Sequence, residues 1–250
     1  MTDAPHRSGY VGLVGRPNVG KSTLLNRILG QKLSIVSRRP QTTRNRILGI
    51  HNEDEAQILF VDTPGIHPSG GKLLNRRMVD QALSALDDVD LVVLLVDVQR
   101  EPIPQAESLV LQRIAAREQR TLLVLNKIDL VEKTELLPLI AAWAQAGTFE
   151  AVIPLSAKTG NGVEPLLKEI ISRLPEGPAW FPKDQITNVT ERFVVGELIR
   201  EQAFRCLDRE VPYSIAVEVE EFEEEEGKVR VMARIWVERD SQKGIVIGKG

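Results

Sequence analysis

YVGLVGRPNVGKST, residues 10–23, runs from a short apolar strand pattern through a glycine-bracketed turn into a helical pattern. A G-x-x-x-x-G-K-S turn at a strand-to-helix junction is a phosphate-binding loop in the context that gives the motif its meaning. Gly15 and Gly20 let the backbone of Arg16, Pro17, Asn18 and Val19 curl around a phosphate, helped by the positive end of the helix that follows. Lys21 is then placed to bridge β- and γ-phosphates, the Ser22 hydroxyl to bind Mg2+, and Thr23 to complete the nucleotide contacts.

Outward from this loop, the first 174 residues alternate strand and helix patterns. YVGLV (10–14), AQILFVD (56–62), LVVLLVDV (91–98), TLLVLN (121–126) and AVIPL (151–155) read as strands buried on both faces. Helical patterns at 22–29, 73–85, 105–117, 135–144 and 163–174 lie between most of them. That alternation predicts an α/β fold, a doubly wound and mostly parallel sheet with helices on both faces. RILGIH (46–51) leads through NEDE into the strand at 56–62 as a hairpin would, so one edge strand is expected to be antiparallel.

The other chemistry-bearing motifs fall at the ends of these strands. Asp62-Thr63-Pro64-Gly65 points a carboxylate at the mouth of the loop, with Asp62 as a Mg2+ partner through water and the Gly65 N–H as a γ-phosphate sensor. Asn126-Lys127-Ile128-Asp129 ends another strand, and Ser156-Ala157-Lys158 follows the next. The Asp129 carboxylate can accept two hydrogen bonds from the N–H groups of guanine, whereas adenine would leave that charge unpaired. A site built this way rejects the wrong base by roughly 10⁴ to 10⁵. Lys127 would lie against the base, Asn126 would brace the loops, and the Ala157 N–H would meet the guanine carbonyl, so the ligand is GTP or GDP rather than ATP.

Between the first helix and the second strand lies RRPQTTRN (38–45), in which one threonine, Thr43 in preference to Thr42, completes the Mg2+ shell when a γ-phosphate is present. Ile66 follows Gly65 where many regulatory GTPases carry a glutamine that orients water. An isoleucine cannot hold water by a hydrogen bond, so hydrolysis at Lys21, Thr43, Gly65 and Ile66 is expected to be slow. Another cation, for which Asn18 offers a carbonyl oxygen, would neutralise developing charge.

The chain has 250 residues, 42% of them hydrophobic and 27% charged, which fits a soluble globular protein of one large or two smaller domains and excludes disorder and collagen. Its apolar runs fall far short of the roughly 18–20 residues that cross a bilayer. With a single cysteine, Cys206, and no apolar signal core, a cytoplasmic setting is expected. Residues 181–250 carry 11 Lys+Arg against 15 Asp+Glu, so no basic balance announces nucleic-acid binding. LPEGPAWFP (174–182), with three prolines and a glycine, reads as a linker. It divides the chain into 1–174, a linker at 175–187, and a smaller α+β domain at 188–250. There, Val195, Leu198, Ile199, Ala203 and Cys206 are predicted to form the packing stripe of a helix. YSIAVEVEEF and KVRVMARIWVE alternate with period two and predict a hairpin turning at Gly227. Its seven glutamates between 218 and 226 are either a solvated tip or a cation site.

On GRPNVGKSTLLNRILGQKLSIVS, QTTRNRILGI, LFVDTPGIH, LNKIDL and PLSAKTGNGV, the chain resembles the Era family of bacterial ribosome-assembly GTPases. TERFVVGELIREQAFRCLDREVPYSIAVEVEEF and IWVERDSQKGIVIGKG resemble the start of that family's type II KH domain. The resemblance implies a GTP-hydrolysing switch that couples nucleotide state to single-stranded RNA near the 3′ end of small-subunit ribosomal RNA, in assembly of the small ribosomal subunit. It also implies a potassium-stimulated GTPase, with Asn18 as the potassium ligand and Ile66 as the family's hydrophobic residue. An RNA-binding assembly factor that uses GTP mainly as a structural ligand is the alternative. A KH domain clamps about four nucleotides through a G-x-x-G loop, and Lys243, Gly248, Lys249 and Gly250 are the RNA candidates of a KH domain expected to be C-terminally incomplete. A monomer is expected, with peripheral association at the inner face of the cell membrane left open.

Overall fold

A computed structural model of the chain describes residues 5–37, 46–63, 88–98 and 105–248. Six strands form one sheet in the order β2-β3-β1-β4-β5-β6. They are β1 (Arg7–Val14), β2 (Ile47–Glu53), β3 (Ala56–Asp62), β4 (Leu91–Asp97), β5 (Thr121–Asn126) and β6 (Ala151–Leu155). All neighbours are parallel except β2 with β3, the expected edge hairpin. β3, β4 and β5 are buried along their whole length, as their continuous apolar runs require when both faces are covered.

Helices α1 (Lys21–Leu29), α2 (Gln105–Ala116), α3 (Lys133–Ala144) and α4 (Val163–Ile171) provide that cover. Leu24, Leu25, Phe60, Leu166 and Ile170 share one apolar layer, with α1 and α4. Val61, Leu94, Val110, Leu123 and Trp143 share the other, with α2 and α3. The last helix stops at Ile171, short of the 174 expected, and the helix expected at 73–85 lies outside the described residues. The first crossover leads from β1 to one side of the sheet while β4 lies on its other side. The carboxyl ends of the strands flanking this reversal form the crevice in which such folds bind ligands.

The smaller unit comprises α5 (Glu191–Cys206), β7 (Ile215–Glu225), β8 (Lys228–Val237) and α6 (Asp240–Ile247). β7 and β8 pair antiparallel, with a bulge between Val219 and Glu221 and the turn at Glu226-Gly227. Gly227 has φ 74°, a left-handed turn position that suits glycine. The glutamates of the tip are exposed, and no cluster of three or more His, Cys, Asp or Glu among the described residues is arranged to hold a metal.

The predicted packing stripe of α5 is corrected. Its buried residues are Gly196, Glu197, Arg200, Glu201 and Phe204, whereas Val195, Leu198, Ile199 and Ala203 are half-buried and Cys206 is exposed. Arg200 donates two hydrogen bonds to Glu197, at 2.8 and 2.6 Å, so each charge enters the interior with its partner.

The segment read as a linker is a strap bound to the sheet. Ser8 Oγ donates to Pro178 O at 2.7 Å. The fully buried Gln57 accepts from the Trp180 and Phe181 N–H groups and donates to Phe181 O. Further along, Ile50 N donates to Ile186 O and Thr187 Oγ1 to Leu48 O, which pairs the strap with edge strand β2.

Candidate active site

The turn after β1 is shaped by two glycines at which a side chain would be strained and crowded. Gly15 has φ 150°, and a Cβ there would sit 2.3 Å from Leu95 O; Gly20 has φ 106°, and a Cβ there would sit 2.2 Å from Asn126 Nδ2. Asn18, at the exposed crest, is left-handed at φ 64°. Val19 is buried, and its carbonyl accepts from Asn126 Nδ2 at 2.6 Å. Arg16 and Pro17 are half-buried, and Thr23 lies in the first turn of α1.

Lys21 is buried, and Nζ donates to the carbonyls of Gly15 and Arg16 at 3.0 and 3.1 Å. Burial lowers its pKa to about 8, with the Asp62 charge acting in the opposite direction. A phosphate set in this turn would add negative charge beside the ammonium.

Asp62 ends β3 with no exposed surface. Burial raises its pKa, countered by the Lys21 charge, by the Ser22 hydrogen bond, by the neighbouring Ser34 hydroxyl and by the Thr63 backbone. Ser22 Oγ donates to Asp62 Oδ2 at 2.9 Å, while the buried Asp62 Oδ1 has no hydrogen-bond partner. A hard divalent cation that keeps its waters takes one or two oxygen ligands of this kind from protein. The unsatisfied carboxylate oxygen beside the Ser22 hydroxyl therefore fits Mg2+. Thr63 turns inward, its hydroxyl donating to Leu13 O at 2.8 Å.

At the end of β5, Asn126 Oδ1 accepts from the Lys127 and Ala157 N–H groups at 2.8 and 2.9 Å. The Ala157 N–H expected to face guanine is thus engaged by Asn126. Ser156 Oγ donates to Asp129 Oδ1 at 2.6 Å, and the Asp129 carboxylate remains at the surface. Lys127, at φ 71°, pairs through Nζ with the buried Asp97 at 2.6 Å. Arg27 of α1 donates to the carbonyls of Ala157 and Lys158, tying this loop to the first helix.

The structure brings Gly15 to Thr23, Asp62, Thr63, Asn126, Lys127, Asp129, Ser156, Ala157 and Lys158 to the carboxyl ends of the parallel strands. Thr42, Thr43, Pro64, Gly65, Ile66, Lys249 and Gly250 lie outside the described residues. Lys243 is exposed on α6, and Gly248 follows that helix at φ 79°.

Asp97 and Arg27 were not singled out from sequence. Asp97 had a signal, because a carboxylate closing a wholly apolar strand repeats the pattern of Asp62. Arg27 had none, since its carbonyl partners lie 130 and 131 residues away.

Residues 10–127 match the family described as 50S ribosome-binding GTPase, and residues 210–250 match the KH domain. The GTPase Era of Geobacter metallireducens is 53% identical over all of this chain and 84% of its own length. The chain belongs to the Era family of GTPases. The GTPase Era of Coxiella burnetii is 46% identical over 98% of this chain and 83% of its own length. A variant of Aquifex aeolicus Era, solved with GDP and AlF4−, superposes with TM-score 0.90 at 38% identity over 97% of this chain and 83% of that one. An Era solved with MgGDPNP and nucleotides 1506–1542 of 16S ribosomal RNA superposes with TM-score 0.91 at 37% identity, over 98% of this chain and 83% of that one. Membership of the Era family makes the protein a GTPase with a KH-type unit behind it.

Proposed function

We propose that this GTPase is a switch in assembly of the small ribosomal subunit, whose GTP-bound form engages the 3′ region of small-subunit ribosomal RNA through the KH-type unit. The likeness to an Era solved with MgGDPNP and 16S ribosomal RNA carries this reading. In it, Gly15 to Thr23 enclose the phosphates, Lys21 bridges the β- and γ-phosphates, and Asn126, Lys127, Asp129, Ser156, Ala157 and Lys158 hold guanine. Water attacks the γ-phosphorus, the bond to the β–γ bridging oxygen breaks, and GDP and phosphate leave.

Ser22, Asp62 and Thr43 would hold Mg2+, which neutralises charge on the β- and γ-phosphate oxygens. Asn18, left-handed at the crest of the turn, would hold potassium, which adds a second positive charge there. Gly65 and Ile66 would flank the γ-phosphate, with Ile66 lining rather than orienting the water. Lys243, Gly248, Lys249 and Gly250 would meet the RNA. The same reading takes the protein to be a cytoplasmic monomer, in keeping with a ribosomal RNA partner.

The test is fluorescence anisotropy of a single-stranded RNA from the 3′ end of small-subunit ribosomal RNA, with the chain loaded with GDP or GDPNP. Tighter binding in the GDPNP form is expected. Equal affinity in the two forms would overturn the switch, and steady-state hydrolysis unchanged between sodium and potassium would remove the Asn18 assignment.

A further inference from the structure

Ser34 lies in the turn after α1, outside every nucleotide motif, yet its side chain is wholly buried. Its hydroxyl has no hydrogen-bond partner. It faces the Asp62 carboxylate, whose Oδ1 is likewise buried and unpartnered. Two unsatisfied buried polar atoms side by side are uncommon in a folded protein and call for an explanation.

The position of Ser34 is tightly determined. Asn26 of α1 accepts from the Leu33 and Ser34 N–H groups at 2.9 and 2.8 Å, and its Nδ2 donates to Ser34 O at 2.7 Å. Asn26 follows Ser22 by four residues, so the two share a face of α1. One helix face therefore supplies both the hydroxyl that touches Asp62 Oδ2 and the clamp that presents Ser34 to the same carboxylate.

We propose that Ser34 is a positioning residue of the Mg2+ site, donating its hydroxyl to Asp62 Oδ1 and fixing the orientation in which that carboxylate receives the hydrated ion. Groups that orient a metal's ligands typically contribute 10- to 100-fold to metal affinity. This role rests on the nucleotide and Mg2+ reading given above and adds to it a residue outside the motifs.

Ser34→Ala tests the role with a fluorescent GDP. The Mg2+ concentration that half-maximally slows GDP release should rise by roughly 10-fold or more, while GDP affinity in EDTA stays at the wild-type value. The melting temperature of the nucleotide-free chain should hold or rise, because the substitution removes an unsatisfied buried hydroxyl. An unchanged Mg2+ midpoint, or a fall in the nucleotide-free melting temperature that reveals a structural partner for the hydroxyl, would overturn the proposal. Wild-type protein that releases GDP at the same rate with and without Mg2+ would instead remove the Mg2+ reading on which it depends.

Discussion

Lys21 is held in the interior by two carbonyl oxygens and the nearby charge of Asp62, with a pKa lowered to about 8 by burial. Replacing it with methionine removes a buried charge and a phosphate contact together. Lys21→Met should weaken GDPNP binding by roughly 10- to 150-fold, the range expected for a hydrogen bond to a charged group, and should lower the melting temperature of the nucleotide-free chain, because the buried Asp62 loses the charge that offsets its burial. Fluorescent-nucleotide titration and a thermal melt read the two effects separately. Asp129 offers a sharper test, because Ser156 braces one carboxylate oxygen while the group stays open to a base. Asp129→Asn replaces an acceptor by an amide that can donate. It should lose guanine and gain xanthine, whose C2 carbonyl accepts, so competition between GTP and XTP should reverse in preference. The nucleotide residues were legible in sequence because each carries a distinctive group at a strand end. Ser34 was not, since an isolated serine in LSIVS has no pattern, and its relation to Asp62 exists only after Asn26 has folded the turn back.

At the scale of elements, hydrophobic periodicity served the sheet well and failed on α5. The runs ending in Asp62, Asp97 and Asn126 are strands over nearly the residues that apolarity marked, because strands covered on both faces leave only one reading. On α5 the buried positions include Glu197 and Arg200, whose burial depends on each other and so is invisible to any scale that scores residues singly. Arg200→Ala would leave Glu197 buried and unpaired, a loss of roughly 3–5 kcal/mol by comparison with other broken buried pairs. Hydrogen exchange should show it in α5 and β7 and leave β1 and β3 protected. Glu150, just before β6, receives Arg120 Nε at 2.7 Å and Arg173 Nε at 2.6 Å, and the Arg120 hydrogen bond is the main cause lowering its pKa. A carboxylate with a lowered folded-state pKa stabilises above its unfolded pKa, and that contribution is lost as pH falls through the folded value. Glu150→Gln should therefore cost about 0.5–1 kcal/mol near neutral pH, as for a partly exposed ion pair. The difference from wild type should begin to shrink as pH falls below the ordinary glutamate value of about 4.3 and vanish only below the lowered folded-state pKa, as followed by urea unfolding across pH.

For the molecule as a whole, the two units touch through a charge. Lys32, just beyond α1, pairs with the wholly buried Glu201 of α5 at 2.8 Å, and Arg205 shares the same carboxylate oxygen. Lys32 stands two residues before Ser34, so one short turn meets both the nucleotide edge and the second unit. Lys32→Ala should leave GTP affinity and hydrolysis unchanged while drawing the ratio of RNA affinities in the GDPNP and GDP forms toward one. A ratio equal to wild type in the anisotropy assay would show that this contact carries no signal. The two-unit plan was legible from LPEGPAWFP, but the role of that segment was not, because prolines and a glycine mark irregular backbone without saying what the backbone binds. The strap also decides where this protein can be divided. A fragment stopped at Leu174 would strip Gln57 of its Trp180 and Phe181 partners and lay bare the outer edge of β2, an invitation to intermolecular pairing. One carried through Thr190 takes its own edge guard with it, and should stay dispersed in solution where the shorter piece precipitates.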